Sequence, residues 1–133
     1  MRRFRDNVMP AAVMTVLLAV VFVSCQNRAE MRHVRDMTVG DVDPAAIADG
    51  DYPGEFTYDK FTYVVMTTIQ RGRISSIDVL TCRNNRHARK AQAVIGSIIE
   101  AQTTNVDAIT GATTTSKALM KAVENSLADA PRR

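Results

Sequence analysis

The chain has 133 residues with 17 Lys and Arg against 14 Asp and Glu, a formal net charge of +3. Residues 1–24 hold three of those basic residues, Arg2, Arg3 and Arg5, and one acidic residue, Asp6, which leaves 14 against 13 in the remainder. That remainder is close to neutral, so the basic excess gives no support to nucleic-acid binding.

The three arginines precede Met9-Pro10 and an apolar run over residues 11–23. A basic region ahead of an apolar stretch of about 7–15 residues is a secretory signal, whereas a membrane span needs about 20. The run ends in Phe22-Val23-Ser24-Cys25, and a small residue directly before Cys resembles a bacterial lipoprotein cleavage site. On that reading residues 1–24 are removed and Cys25 is lipidated as the first mature residue. Phe22 stands where Leu is usual, so an uncleaved signal anchor is the alternative. Both put the chain after Cys25 on the extracytoplasmic side of a bacterial membrane, because the arginines stay inside.

Residues 25–46 are polar, and their apolar residues keep no sustained period. They read as a tether, with a short helix at 29–35 as an option. Lipidation of Cys25 leaves Cys82 without an intrachain partner, so no disulfide framework is expected. Cys82 reads as a small buried apolar residue at a strand end. His33 and His87 are too isolated in sequence to suggest a metal site, and none is expected.

Residues 47–130 suffice for one modest core. Residues 52–58 read as a first strand, with Pro53 marking an edge or a start. Residues 60–70, rich in Thr, Tyr, Val, Ile and Phe, form the second. Arg71-Gly72 marks a tight turn, and 73–81 supply a third strand through Ile74, Ile77, Val79 and Leu80. Asn84-Asn85 can cap a helix running to about 102, where Ala91, Val94, Ile95, Ile98 and Ile99 recur at helical spacing. A last helix over 114–128 carries Leu119, Ala122, Val123 and Leu127 on one side. The link 103–113 has room for a short strand near Val106. Three or more antiparallel strands packed with two helices make an α+β fold.

Three groups of residues suggest chemistry. Arg83, Arg86, His87, Arg89 and Lys90 open the first long helix, where positive charge opposes the dipole. They form either a solvated face or a wall turned toward an anion. Tyr52, Phe56, Tyr58, Phe61 and Tyr63 have period-two spacing and read first as strand core, with one or two free to touch a flat ligand. The third group is Asp107-Ala108-Ile109-Thr110-Gly111-Ala112-Thr113-Thr114-Thr115-Ser116, which runs into the last helix. It sets a glycine turn and several hydroxyls at a helix start, where backbone N–H groups lack partners and the dipole is positive. One reading is an ordinary capped helix; the other is a phosphate site. A single cap satisfies one or two donors, and the hydroxyls exceed that need.

Residues 107–116 resemble the signature of the FMN-binding domain family. That family includes the C subunit of the sodium-translocating NADH:quinone reductase and the G subunit of the related Rnf electron-transfer complex. Its pattern is Asp, two residues, Ser or Thr, Gly-Ala-Thr, any residue, Thr-Ser. The fixed positions are met by Asp107, Thr110, Gly111, Ala112, Thr113, Thr115 and Ser116. Asp49-Gly50-Asp51-Tyr52-Pro53-Gly54 is similar to the family's Asp-Gly-x-Tyr-x-Gly, and the resemblance runs over roughly residues 47–128.

The resemblance implies FMN as cofactor, attached in several members by a phosphoester that a flavin transferase makes from FAD. Carried over, the acceptor is Thr113, with Asp107 read by the transferase or bracing the turn. Thr114, Thr115 and Ser116 then serve as phosphate donors, with Lys117 a solvated helix residue or an added charge. With no catalytic dyad, metal motif or nicotinamide fingerprint in the sequence, the implied protein is an electron-transfer flavoprotein more than a self-contained oxidoreductase. Its partners would be a membrane redox complex or an extracytoplasmic electron acceptor. The alternatives are a reductase domain that binds FMN non-covalently, a relative of the ion-pump subunit built into a larger complex, and a non-redox envelope lipoprotein.

Overall fold

The computed structural model describes the backbone of residues 11–133 and the side chains of residues 13–22 and 28–133. The basic n-region lies outside the described residues, as does the side chain of Cys25, the expected lipidation site. Helix α1 (Ala11–Asp36) is continuous, and a 3-10 turn (Pro44–Ala46) follows it. Three strands come next, β1 (Gly50–Tyr58), β2 (Phe61–Gln70) and β3 (Arg73–Thr81). Helices α2 (Arg86–Ala91), α3 (Ala93–Ala101) and α4 (Thr113–Ala128) complete the chain.

The strands form an antiparallel meander in the order β1-β2-β3, as their composition predicts. Period-two burial puts Tyr63, Val65, Thr67 and Ile69 of β2 on the inner face. Pro53 sits on edge strand β1, where its missing N–H disrupts no second ladder. Arg71 (φ 55°) and Gly72 (φ 70°) make the β2–β3 turn with two left-handed residues, the geometry that matches strand twist. Asp49 braces this turn by accepting from the Gly72 N–H, and it pairs with Arg133. Backbone N–H donation from Arg71, then from Gly72, and the Arg133 charge hold the Asp49 carboxyl below its ordinary range.

Helix α4 lies across β1 and β2 with Leu119, Ala122, Val123 and Leu127 buried. Its approach depends on Gly54. A Cβ there would stand 2.1 Å from the Ala122 carbonyl oxygen and 2.5 Å from the Ser126 Cβ. The Ser126 hydroxyl donates to Thr67 Oγ1 at 2.8 Å, and Asn125 Nδ2 donates to the Glu55 carbonyl at 2.8 Å. Thus Asp49 and Gly54, both from the stretch similar to the family's Asp-Gly-x-Tyr-x-Gly, act structurally: one holds a turn and the other admits a helix.

Three elements differ from the sequence expectation. The helix expected up to residue 102 is two helices that meet at Gln92, which caps α2 and starts α3. Asn85 does cap the first, accepting from the Ala88 N–H at 2.7 Å. The link 103–113 forms no strand. Gln102, left-handed at φ 57°, uses its amide to accept from Ile74 N–H and donate to Ile74 C=O. Its side chain thereby covers part of the β3 edge that another strand would need.

The third difference is the tether. From Arg28 onward the segment is docked on the domain. Val34 and Val39 are buried in the core, Glu30 Oε1 accepts from the Asp59 N–H at 2.7 Å, and the Gly40 N–H donates to Glu124 at 3.0 Å. Glu30 and Val34 are one helical turn apart and share a stripe, too short a pattern to register as a period in sequence. The first half of α1 behaves differently, with Val13, Met14, Leu17, Leu18, Val21 and Phe22 all exposed. Among the described residues, no helix is long and apolar enough to cross a membrane.

Candidate functional site

The geometry begins at the turn before α4. The Ala112 N–H donates to the Ile109 carbonyl at 2.9 Å, and Gly111 takes φ 79° inside this turn. A Cβ on Gly111 would meet only Lys90 Nζ, at 3.5 Å, so glycine is needed for its backbone angle and not for space. The N-cap of α4 is Ala112, which is buried and makes no side-chain capping bond. The first helical N–H bond runs from Ser116 to the Ala112 carbonyl. The N–H groups of Thr113, Thr114 and Thr115 therefore stand free of intrahelical partners, next to the positive end of a 16-residue helix. No side chain caps α4, so the hydroxyls ahead of it are not spent as an N-cap.

These residues form one side of a cleft of about 320 Å³. Gly111, Ala112, Thr113, Thr114 and Thr115 line it from the turn and α4, and Asn85 and His87 from the start of α2. Tyr58, Arg83, Met31 and Arg35 complete it. No carboxylate is among these lining residues, while two guanidinium groups are. His87 Nδ1 lies 3.0 Å from the Gly111 carbonyl oxygen and ties α2 to the turn. The Arg83 guanidinium stacks over the Phe61 ring at 3.7 Å, which fixes the charge at the cleft wall.

Beneath the cleft is a buried hydroxyl chain. Tyr58 and Tyr63 stack with centroids 5.6 Å apart and hydroxyls 3.2 Å apart, and the buried Thr115 side chain lies beside Tyr63. Burial, followed by the Tyr58 hydroxyl, pushes the Tyr63 phenol well above its ordinary value. Thr115 is buried at the floor of the cleft.

The signature residues divide into three sets. Gly111, Ala112, Thr113, Thr114 and Thr115 come together as lining of one cleft. Ser116 departs from its expected part as a phosphate donor: it is fully buried, donating to the Ala112 carbonyl at 3.0 Å and accepting from the Ile109 N–H at 3.2 Å. It braces the turn from behind. Asp107 and Thr110 are exposed and do not line the cleft; Asp107 borders a separate surface depression with Ser97, Glu100 and Asn105.

Of the basic cluster, Arg83 and His87 reach the cleft, Lys90 approaches Gly111, and Arg86 and Arg89 are exposed away from it. Of the five aromatics only Tyr58 lines the cleft, and the others pack on the core. Met31, Arg35 and Asn85 were not foreseen as site residues; Met31 and Arg35 lie in the supposed tether. Burial at the end of β3 pushes the Cys82 thiol upward, away from reactivity.

A carboxylate-free cleft with helix N-terminal N–H donors and two arginines is suited to a phosphate-bearing ligand. Residues 58–128 match the family model for the FMN-binding domain. The chain belongs to the FMN-binding domain family, and FMN is its cofactor. No curated protein matches the chain. The cleft residues fit that cofactor: the cradle suits the phosphate, and the cleft falls at the small end of the range for ligand pockets, about 300–1,000 Å³.

Proposed function

We propose that this flavoprotein is an exported, membrane-tethered electron carrier whose FMN is held by a phosphoester on Thr113. The observation that carries the reading is the position of Thr113. It is the first residue of α4, half-buried at the cleft, with its own N–H and the next two free to receive a phosphoryl group. Thr115 is less suited as acceptor because it is buried, whereas Thr113 is half-buried. In the attachment step the Thr113 oxygen forms a bond to the FMN phosphorus of FAD as the pyrophosphate bond breaks. AMP leaves, and the hydroxyl proton passes to a base of the transferase.

Bound FMN supplies one- and two-electron redox chemistry. The chain would contribute position and charge: the N–H cradle would hold the phosphate, and the Arg83 guanidinium keeps the cleft wall cationic. Asp107, exposed and outside the cleft, is free to be read by the transferase. Export is supported by Arg2, Arg3 and Arg5 ahead of the apolar run and by Ser24-Cys25 at its end. The unpacked apolar half of α1 is what a leader or anchor requires. Lipidated Cys25 would hold the protein at the extracytoplasmic face, within reach of a membrane redox complex.

The test is the intact mass of the full chain coexpressed with a flavin transferase. An FMN adduct is expected in the wild type and in Thr114→Val, and none in Thr113→Val. A wild-type chain that carries FMN but no adduct would leave the non-covalent reductase reading in place of this one.

A further inference from the structure

We propose that helix α1, upstream of the matched family residues, is a wall of the flavin cleft, with Met31 against the ring and Arg35 as its second cation; this rests on FMN occupying the cleft. The argument starts from helix geometry. Glu30 and Val34 are one turn apart, and both are pinned, Glu30 to the Asp59 N–H and Val34 in the core. The neighbouring stripe, Met31 and Arg35, is also one turn apart and lines the cleft. Docking of one stripe thus presents the other.

The division of the cleft follows from its donors. A phosphate takes the N–H groups of Thr113, Thr114 and Thr115, and His87 is committed to Gly111. With Asn85 Oδ1 engaged in capping α2, the lining side chains left outside the turn are Met31, Arg35, Tyr58 and Arg83, and this set faces the remainder of the cofactor. Met31 is 45% exposed, an apolar side chain with no core to bury in, which a flat ring would cover. Arg35 makes no ion pair among the described residues, so its charge is available to the electron-rich reduced flavin.

The test uses the full chain loaded with FMN, however the FMN is held. Midpoint potential is read by spectroelectrochemical titration and ring access by iodide quenching of flavin fluorescence. Arg35→Gln should weaken the preference for reduced over oxidised flavin about tenfold, which for a two-electron couple lowers the potential by about 30 mV. Arg35→Lys, which keeps the charge, should retain most of the wild-type potential. Met31→Ala should increase iodide quenching. Arg32→Gln, exposed on the same helix and outside the cleft, is the reference. Because Met31 and Arg35 are exposed, melting temperatures should stay at the wild-type value. Potentials and quenching indistinguishable from Arg32→Gln would overturn the wall while leaving the cofactor in place. A chain that takes up no FMN in any form would instead overturn the flavin reading itself.

Discussion

Gly54→Ala tests how the fold positions the site, because one added methyl group meets backbone that cannot rotate away. The new Cβ would sit 2.1 Å from the Ala122 carbonyl oxygen and 2.6 Å from the Ser126 backbone nitrogen. Relief to an ordinary contact near 3.5 Å requires helix α4 and strand β1 to separate by about an ångström, against tight packing on both sides. Overpacking of a well-filled core costs about 1–3 kcal/mol, and a clash against helix backbone belongs at the upper end. At about 3 kcal/mol, a domain of this size loses about 12–24 °C in melting temperature. The same helix carries Thr113 at its start, so FMN loading should fall with it. Thermal unfolding of the full chain followed by circular dichroism measures the first effect. Gly96→Ala is the contrast: nothing lies within 4 Å of its Cβ inside α3, and alanine there should stabilise by up to about 1 kcal/mol. A Gly54→Ala protein that melts within two degrees or so of wild type would refute the close-approach argument.

Other outcomes follow from the same contacts. Gly111→Ala forces an L-residue to φ 79° and should cost about 1–2 kcal/mol in chemical denaturation, while slowing FMN uptake at the turn. Ser116→Ala leaves the Ile109 N–H without its partner and should cost about 1–2 kcal/mol, with FMN loading reduced through the turn and not through a lost phosphate contact. The buried Tyr63 phenol keeps its proton when the unfolded chain has lost it, so its contribution is fully present below about pH 10 and is lost as pH rises further, at up to about 1.4 kcal/mol per pH unit. Urea titrations between pH 9 and 11.5 should show that decline, and Tyr63→Phe should flatten it; an unchanged slope would remove Tyr63 as its cause.

How far the fold could be read from the sequence depended on whether the cause was local. The three strands carry period-two patterning and the Arg71-Gly72 turn, and Asn85 announces a helix start, so all were legible. The cradle was legible as a composition, a glycine and hydroxyls at a helix start, but the parts played by its residues were not. Ser116 looks like a donor in sequence, but its hydroxyl is spent on the Ile109 N–H and the Ala112 carbonyl of its own turn, and Thr115 is buried once α4 packs on the sheet, so neither part shows in the composition. Gly54 reads as a strand breaker until α4 is laid over it. The break at Gln92 and the edge cover by Gln102 have no local signature, since both residues are good helix formers. The docking of α1 escaped because one pinned stripe of two residues is too short to form a period.

If the protein is tethered at Cys25 as proposed, that docking would tie the height of the cleft above the membrane to the length of one helix. Cys25 and Met31 are six residues apart on the continuous helix α1, a rise of about 9 Å. Under the proposed lipidation, the cleft then lies about a nanometre from the lipid attachment, held by a rod and not by a flexible tether. The consequence can be measured without identifying the redox partner. Lipidated full chain carrying FMN is reconstituted into vesicles whose headgroups bear a nitroxide, and quenching of flavin fluorescence reports its height. Seven helix-forming residues inserted between Cys25 and Arg28 add about 10 Å while turning the helix by nearly two full turns, so its docked stripe keeps its face. Quenching should be pronounced in the native chain and relieved in the insertion, with FMN content equal in the two. Equal quenching in both would mean that α1 does not set the height, and the rigid-spacer argument would fail.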